Sequence, residues 1–155
     1  YIRRMSSFDQ EVTLTNFDNK TDQFNFSPNI ELVAVSTQDQ DKEMPGGLQV
    51  WNLESKKMIF SKKLDYSSEQ VLSGYSVTLA FSPDSEKLAY TSGEYFNLLN
   101  IKTQEVDSFE ASNDNKRFHV SEIIFSPDGT RIAANITDYV IMWDVTTATL
   151  LWQYP

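Results

Sequence analysis

Apolar residues in this chain fall in short runs, each bounded by turn-forming residues. Leu32-Val33-Ala34-Val35, Leu88-Ala89-Tyr90 and Ile132-Ala133-Ala134 are nearly continuous apolar stretches. A strand with one wet face alternates apolar and polar residues, so these three are expected to be covered on both faces. No segment sustains a 3.6-residue apolar period between helix caps, and helices are not expected. Around each run the pattern predicts four short strands. They span 23–26, 31–37, 48–53 and 57–64, then 76–81, 87–92, 95–101 and 105–110, then 120–125, 131–136, 139–145 and 149–154.

One phrase recurs ahead of each run: Phe26-Ser27-Pro28, Phe81-Ser82-Pro83-Asp84 and Phe125-Ser126-Pro127-Asp128-Gly129. In such a turn Pro presets φ, Asp bonds nearby backbone and Gly relieves a strained φ. Two repeats end their third strand in Val50-Trp51-Asn52-Leu53 and Met142-Trp143-Asp144-Val145, and Leu99 stands at that place in the middle copy. From Trp51 to Leu99 is 48 residues and from Leu99 to Trp143 is 44. A period in the forties with a Trp-Asp strand end marks four-stranded propeller blades. The fold class read here is all-β: propeller blades of four antiparallel strands, forming an arc or fragment of a larger propeller. Residues 16–64, 65–111 and 112–155 make three blades. Residues 1–15 make a half blade, with 1–7 as a third strand and Gln10-Glu11-Val12 as the start of a fourth.

The Ser-Pro-Asp-Gly turn and the Trp-Asp strand end, 18 residues from Phe125 to Trp143, resemble the WD40 repeat family across essentially the whole chain. That resemblance implies a β-propeller whose usual work is to hold other proteins together. The Gly-His pair of the family is missing. His119, the only histidine, lies too close to Phe125 to match it, and Asp138, which matches the family's structural aspartate, is read as a turn residue. Propellers of the prolyl-peptidase and secreted-binding kinds use a similar turn without the tryptophan. Trp51 and Trp143 favour WD40. At repeat-equivalent positions these two tryptophans and Phe26, Phe81 and Phe125 are expected in the core.

Charge narrows the partners. Thirteen Lys and Arg against 22 Asp and Glu leave a net charge of −9. A nucleic-acid groove or an anionic membrane surface needs clustered cations, so neither is an expected partner. The chain has no cysteine, hence no disulfide framework or thiolate metal site, and a cytoplasmic setting is expected. No apolar run reaches bilayer-spanning length. The opening Tyr1-Ile2-Arg3-Arg4 has neither initiator Met nor signal-peptide apolar region, as expected for a piece of something longer.

Catalytic chemistry is not expected. The chain has no phosphate-binding GxxxxGK[ST] loop and no G-x-S-x-G elbow. His119 beside Asp114 has too few companions for a triad or a metal shell. Asp39-Gln40-Asp41-Lys42-Glu43 lacks the glycine and terminal Glu of a calcium loop. No cofactor is expected. The sequons at Asn19 and Asn135 read as chance occurrences, with Ile136 buried.

In a four-strand meander the one–two and three–four turns share one end of the blade. The two–three turn and the interblade connection share the other. Length variation falls at the second end, over 38–47, 65–75 and 111–119, as in scaffolds that display binding loops. Candidate protein-binding residues there are Met44, Tyr75, Tyr95, Arg117, Phe118 and Tyr139, since aromatic and Arg side chains are frequent interface anchors. The acidic loops at Asp39–Glu43 and Asp114 would steer a basic partner. The expected function is a non-catalytic interaction scaffold or sensor module within a larger protein, its ring completed by remaining blades or by a second copy. The alternative is a propeller associated with a hydrolase or one that binds a small ligand.

Overall fold

The computed structural model describes residues 2–3, 11–12, 20–38, 47–64, 77–92, 95–110, 120–136 and 139–155. Among these residues every regular element is a strand. A short pair, β1 (Ile2–Arg3) and β2 (Glu11–Val12), runs antiparallel with Ile2 opposite Val12. Three four-stranded meanders follow. The first is β3 (Lys20–Phe26), β4 (Leu32–Gln38), β5 (Gly47–Asn52) and β6 (Lys57–Lys63). The second is β7 (Leu79–Phe81), β8 (Lys87–Ser92), β9 (Tyr95–Asn100) and β10 (Val106–Glu110). The third is β11 (Val120–Phe125), β12 (Arg131–Ile136), β13 (Tyr139–Asp144) and β14 (Leu150–Tyr154).

The Ser-Pro turn closes each β-one–β-two hairpin by one device. The Ser27, Ser82 and Ser126 carbonyls accept from the amides of Ile30, Ser85 and Gly129 at 2.8, 2.9 and 2.8 Å. Each serine hydroxyl donates to the Asn29, Asp84 or Asp128 side chain (2.6, 2.5 and 2.5 Å) and accepts the amide that opens the next strand. The fourth turn residue then sits in the left-handed region, at φ 59° for Ile30, 64° for Ser85 and 71° for Gly129. Only the third copy uses glycine there. Asn52, Asn100 and Asp144 build the three–four turn similarly, their side-chain oxygens accepting amides two or three residues on. Those turns place Lys56, Gln104 and Ala148 at φ 56°, 61° and 57°.

Sheets stack face to face. Ala34, Leu48 and Val50 of the first meet Leu79, Phe81, Leu88, Tyr90 and Leu99 of the second in one buried cluster. Ala89, Phe96 and Leu98 of the second meet Ile123, Ile132, Ala134, Ile141 and Trp143 of the third in another. There Phe96 stacks on Trp143, rings 8° from parallel and 5.3 Å apart. Val33, Val35, Trp51 and Leu53 form a smaller cluster on the other face of the first sheet.

The strands packed nearest one another between sheets are β3, β7 and β11, so these are innermost and β6, β10 and β14 outermost. Side chains tie the inner strands together: Phe81 donates its amide to Asn25 Oδ1 at 3.4 Å, and Thr78 Oγ1 donates to the Val120 carbonyl at 3.0 Å. Near the rim Gln104 Nε2 donates to the Ile59 carbonyl at 2.8 Å. The result is an open, unclosed arc of antiparallel blades.

Four expectations change, the first being that β3 begins at Lys20, three residues ahead of its expected start. The first strand of the second sheet begins at Leu79, because the Thr78 amide bonds the Thr91 hydroxyl at 3.0 Å instead of a ladder carbonyl. Phe81 is buried between the first two sheets, but Phe26 is exposed and Phe125 only half-buried. The strand β12 is covered on one face alone: Ile132, Ala134 and Ile136 are buried, while Arg131 and Asn135 are exposed. Both faces of β4 and β8 have the cover that β12 has on one.

Candidate binding face

The short-turn end is a hydrogen-bonded rim. The amides of Leu53, Ile101 and Val145 donate to the carbonyls of Glu31, Glu86 and Thr130 at 2.8, 2.9 and 2.9 Å, joining the two turns of each blade. Neighbouring rims also touch, with the Asn29 amide donating to Ser85 Oγ at 3.3 Å. Carboxylates at this end serve the turns. The Ser126 hydroxyl, helped by the Thr130 amide and hydroxyl, lowers Asp128 to a pKa of about 2. Asp84 is lowered chiefly by the Ser82 hydroxyl, and Asp144 chiefly by the Thr147 amide. These groups are structural acceptors, each already spent on backbone. One cleft of about 480 Å³ opens at this end of the second blade, lined by Lys87, Leu98, Asn100, Glu105, Val106 and Asp107. Sequence reasoning missed it, because its lining converges from one turn and three strands.

At the opposite end the structure describes two of the six candidate side chains. Tyr95 opens β9 opposite Ser92, and Tyr139 opens β13 opposite Ile136. Register therefore puts the two tyrosines at one repeat-equivalent position on adjacent blades, 50% and 37% exposed. Below Tyr95, Asn97 is held by the Ser108 hydroxyl at 2.7 Å and bonds the Tyr95 carbonyl through Nδ2 at 3.3 Å. In the first blade Thr37 Oγ1 accepts the Gly47 amide at 3.0 Å and closes the hairpin at this end. Met44, Tyr75, Arg117 and Phe118 lie outside the described residues, as do His119, Asp138, Asp114 and the 39–43 loop.

No family model matches the chain, and no curated protein matches it in sequence. Solved propellers do match in shape. Against the structure of U3-55K the TM-score is 0.68 at 15% identity, covering 91% of this chain and 41% of that one. Against the WD40 repeats of RRP9 it is 0.67 at 15% identity, covering 90% and 40%. The chain thus spans about two fifths of the length of the solved chains it matches. The fold is that of an open stretch of WD40 β-propeller blades.

Proposed function

We propose that the chain is a non-catalytic protein-interaction scaffold that receives its partner on the end where the two–three turns and interblade connections gather. The observation that carries this is the contrast between the two ends. At the short-turn end each blade commits its polar side chains to one repeated backbone network. At the other, Tyr95 and Tyr139 stand exposed at equivalent places on adjacent blades. Aromatic side chains repeated around a rigid rim are suited to anchoring a protein surface. Met44, Tyr75, Arg117 and Phe118 belong to the same proposed face by sequence position. The excess of acidic residues favours a basic partner whose binding weakens as salt rises. A cytoplasmic setting is part of the same reading. No observation favours the alternative of a hydrolase-associated or small-ligand-binding propeller.

Affinity capture from source lysate tests this, comparing the parent chain with Tyr95→Ser/Tyr139→Ser and with Arg117→Glu/Phe118→Ser. Lys102→Glu, on the exposed short-turn end, is the control. Partners should be lost with the first two variants and kept with the third. Loss confined to Lys102→Glu would place the binding surface at the wrong end of the proposed arrangement.

A further inference from the structure

Blades stack through their faces, which leaves the outward edge of each outermost strand out of the stacking. A free edge offers unpaired amides and carbonyls to another extended segment, and native edges are commonly blunted by bulges, charges or covering groups. The three outer edges differ in this respect. In β6 the register shift leaves Ile59 as a bulge, and its carbonyl is taken by Gln104 of the next blade at 2.8 Å. In β14 a shift at the equivalent place leaves Leu151 outside the register. The strand β10 has neither device. It pairs with β9 in unbroken register from Val106 opposite Leu99 to Glu110 opposite Tyr95. On the third blade the residue equivalent to Gln104 is Ala148, which has no side-chain donor to lend.

One bond decides which groups of β10 face outward. The Asn100 amide donates to the Glu105 carbonyl at 2.9 Å, and antiparallel pairs alternate between bonded and open. Along that register the amides and carbonyls of Val106, Ser108 and Glu110 point away from β9. The edge is also acidic. Glu105 and Asp107 are exposed, and the sequence holds no Lys or Arg from Thr103 to Asn115. The cleft of about 480 Å³ lies against the same strand, with Glu105, Val106 and Asp107 on one side and Leu98, Asn100 and Lys87 on the other. Lys87 is the one cation of that lining, and it also lies close enough to Asp84 to help lower its pKa.

We propose that the outer edge of β10 receives an extended basic segment of a partner protein as a fifth strand of the second blade. The segment's backbone bonds Val106, Ser108 and Glu110. A Lys or Arg side chain opposite Asp107 enters the cleft, its stem along Leu98 and its charge between Glu105 and Asp107. Strand addition draws affinity from main-chain bonds and selectivity from pockets for alternate side chains, and this edge supplies both. Opposite charges facing each other across neighbouring strands strengthen the pairing. The surface is separate from the end that carries Tyr95 and Tyr139, and the two stand or fall independently.

The probe is a labelled peptide of alternating Lys and Val, followed by fluorescence anisotropy and by hydrogen exchange of the full chain. Binding should slow exchange of the Val106 and Ser108 amides at least tenfold and leave β6 and β14 unchanged. A peptide of alternating Glu and Val should not bind. Asp107→Lys, at an exposed position, should weaken the Lys peptide at least tenfold. The same peptide N-methylated at alternate residues keeps its charge but cannot pair along one edge, and it should lose binding without any change to the protein. Absence of protection at Val106 and Ser108, or unaltered affinity for Asp107→Lys, overturns the proposal. Binding that survives N-methylation overturns it equally, since charge attraction alone then holds the peptide.

Discussion

Single residues carry strain that the repeat makes measurable. Ile30 holds a left-handed φ that its counterpart Gly129 holds without cost, and a β-branched residue is poorly suited to that region. Ile30→Gly should therefore raise stability by about 0.5–1 kcal/mol, net of the entropy glycine adds to the unfolded chain. Gly129→Ala should lower it by about 1 kcal/mol through φ alone, because an added Cβ meets only Pro83 Cδ at an ordinary 3.6 Å. Denaturant midpoints of the two variants check the pair, and equal shifts of one sign would remove the strain argument. Tyr90 is a different case. Its ring is fully buried between the first two sheets, its hydroxyl has no hydrogen-bond partner among the described residues, and Lys62 Nζ lies 5.9 Å from the ring centroid. Burial raises the phenol from 10.0 to about 12. Below pH 10 the hydroxyl is protonated in both states and contributes no pH dependence. Above it the unfolded chain ionises first, so stability falls until the folded pKa is reached. Tyr90→Phe should be more stable by about 1 kcal/mol at neutral pH, having no unsatisfied hydroxyl, and should lack Tyr90's share of the alkaline loss. Parallel melts at pH 8 and 11 decide it.

At the scale of elements, a large apolar side chain at the third-strand position is buried at each junction, Leu99 between the first two sheets and Trp143 between the second and third. Trp143 is buried against Phe96, Ile132 and Ile141, so Trp143→Ala should cost about 3–5 kcal/mol, with the ring stack contributing part of it. Thermal melting checks this, and an unchanged midpoint would mean that the ring is not buried where β13 places it. The strands themselves were legible because turn chemistry punctuates them. Ser126-Pro127-Asp128-Gly129 and Asp144 fix both short turns of the third sheet, and β11 and β12 match the expected bounds to the residue. The start of β7 was not legible, since apolar patterning cannot show that a threonine hydroxyl takes an amide from the ladder. Nor was the wet face of β12, because Ile132-Ala133-Ala134 reads alike whether or not a sheet lies against Ala133.

For the whole molecule, the candidate face was legible in part. The repeat alone places Tyr95 and Tyr139 at one end, since both open third strands. What they touch depends on side chains from other blades, which spacing does not encode. The exposed apolar face of the third blade has a signal in the sequence: Trp152 and Tyr154 alternate onto the same face as Met142 and Val140. Among the described sheets, only the second has a four-stranded neighbour on each side. Its strands pair in sequence order, so each hairpin closes over a short loop before any sheet stacks. In a chain of nearest-neighbour units the central one gains most from early order. Refolding should accordingly nucleate there and spread outward. Leu88→Ala is then expected to slow the refolding limb of a chevron, whereas Leu150→Ala on the last strand mainly quickens unfolding.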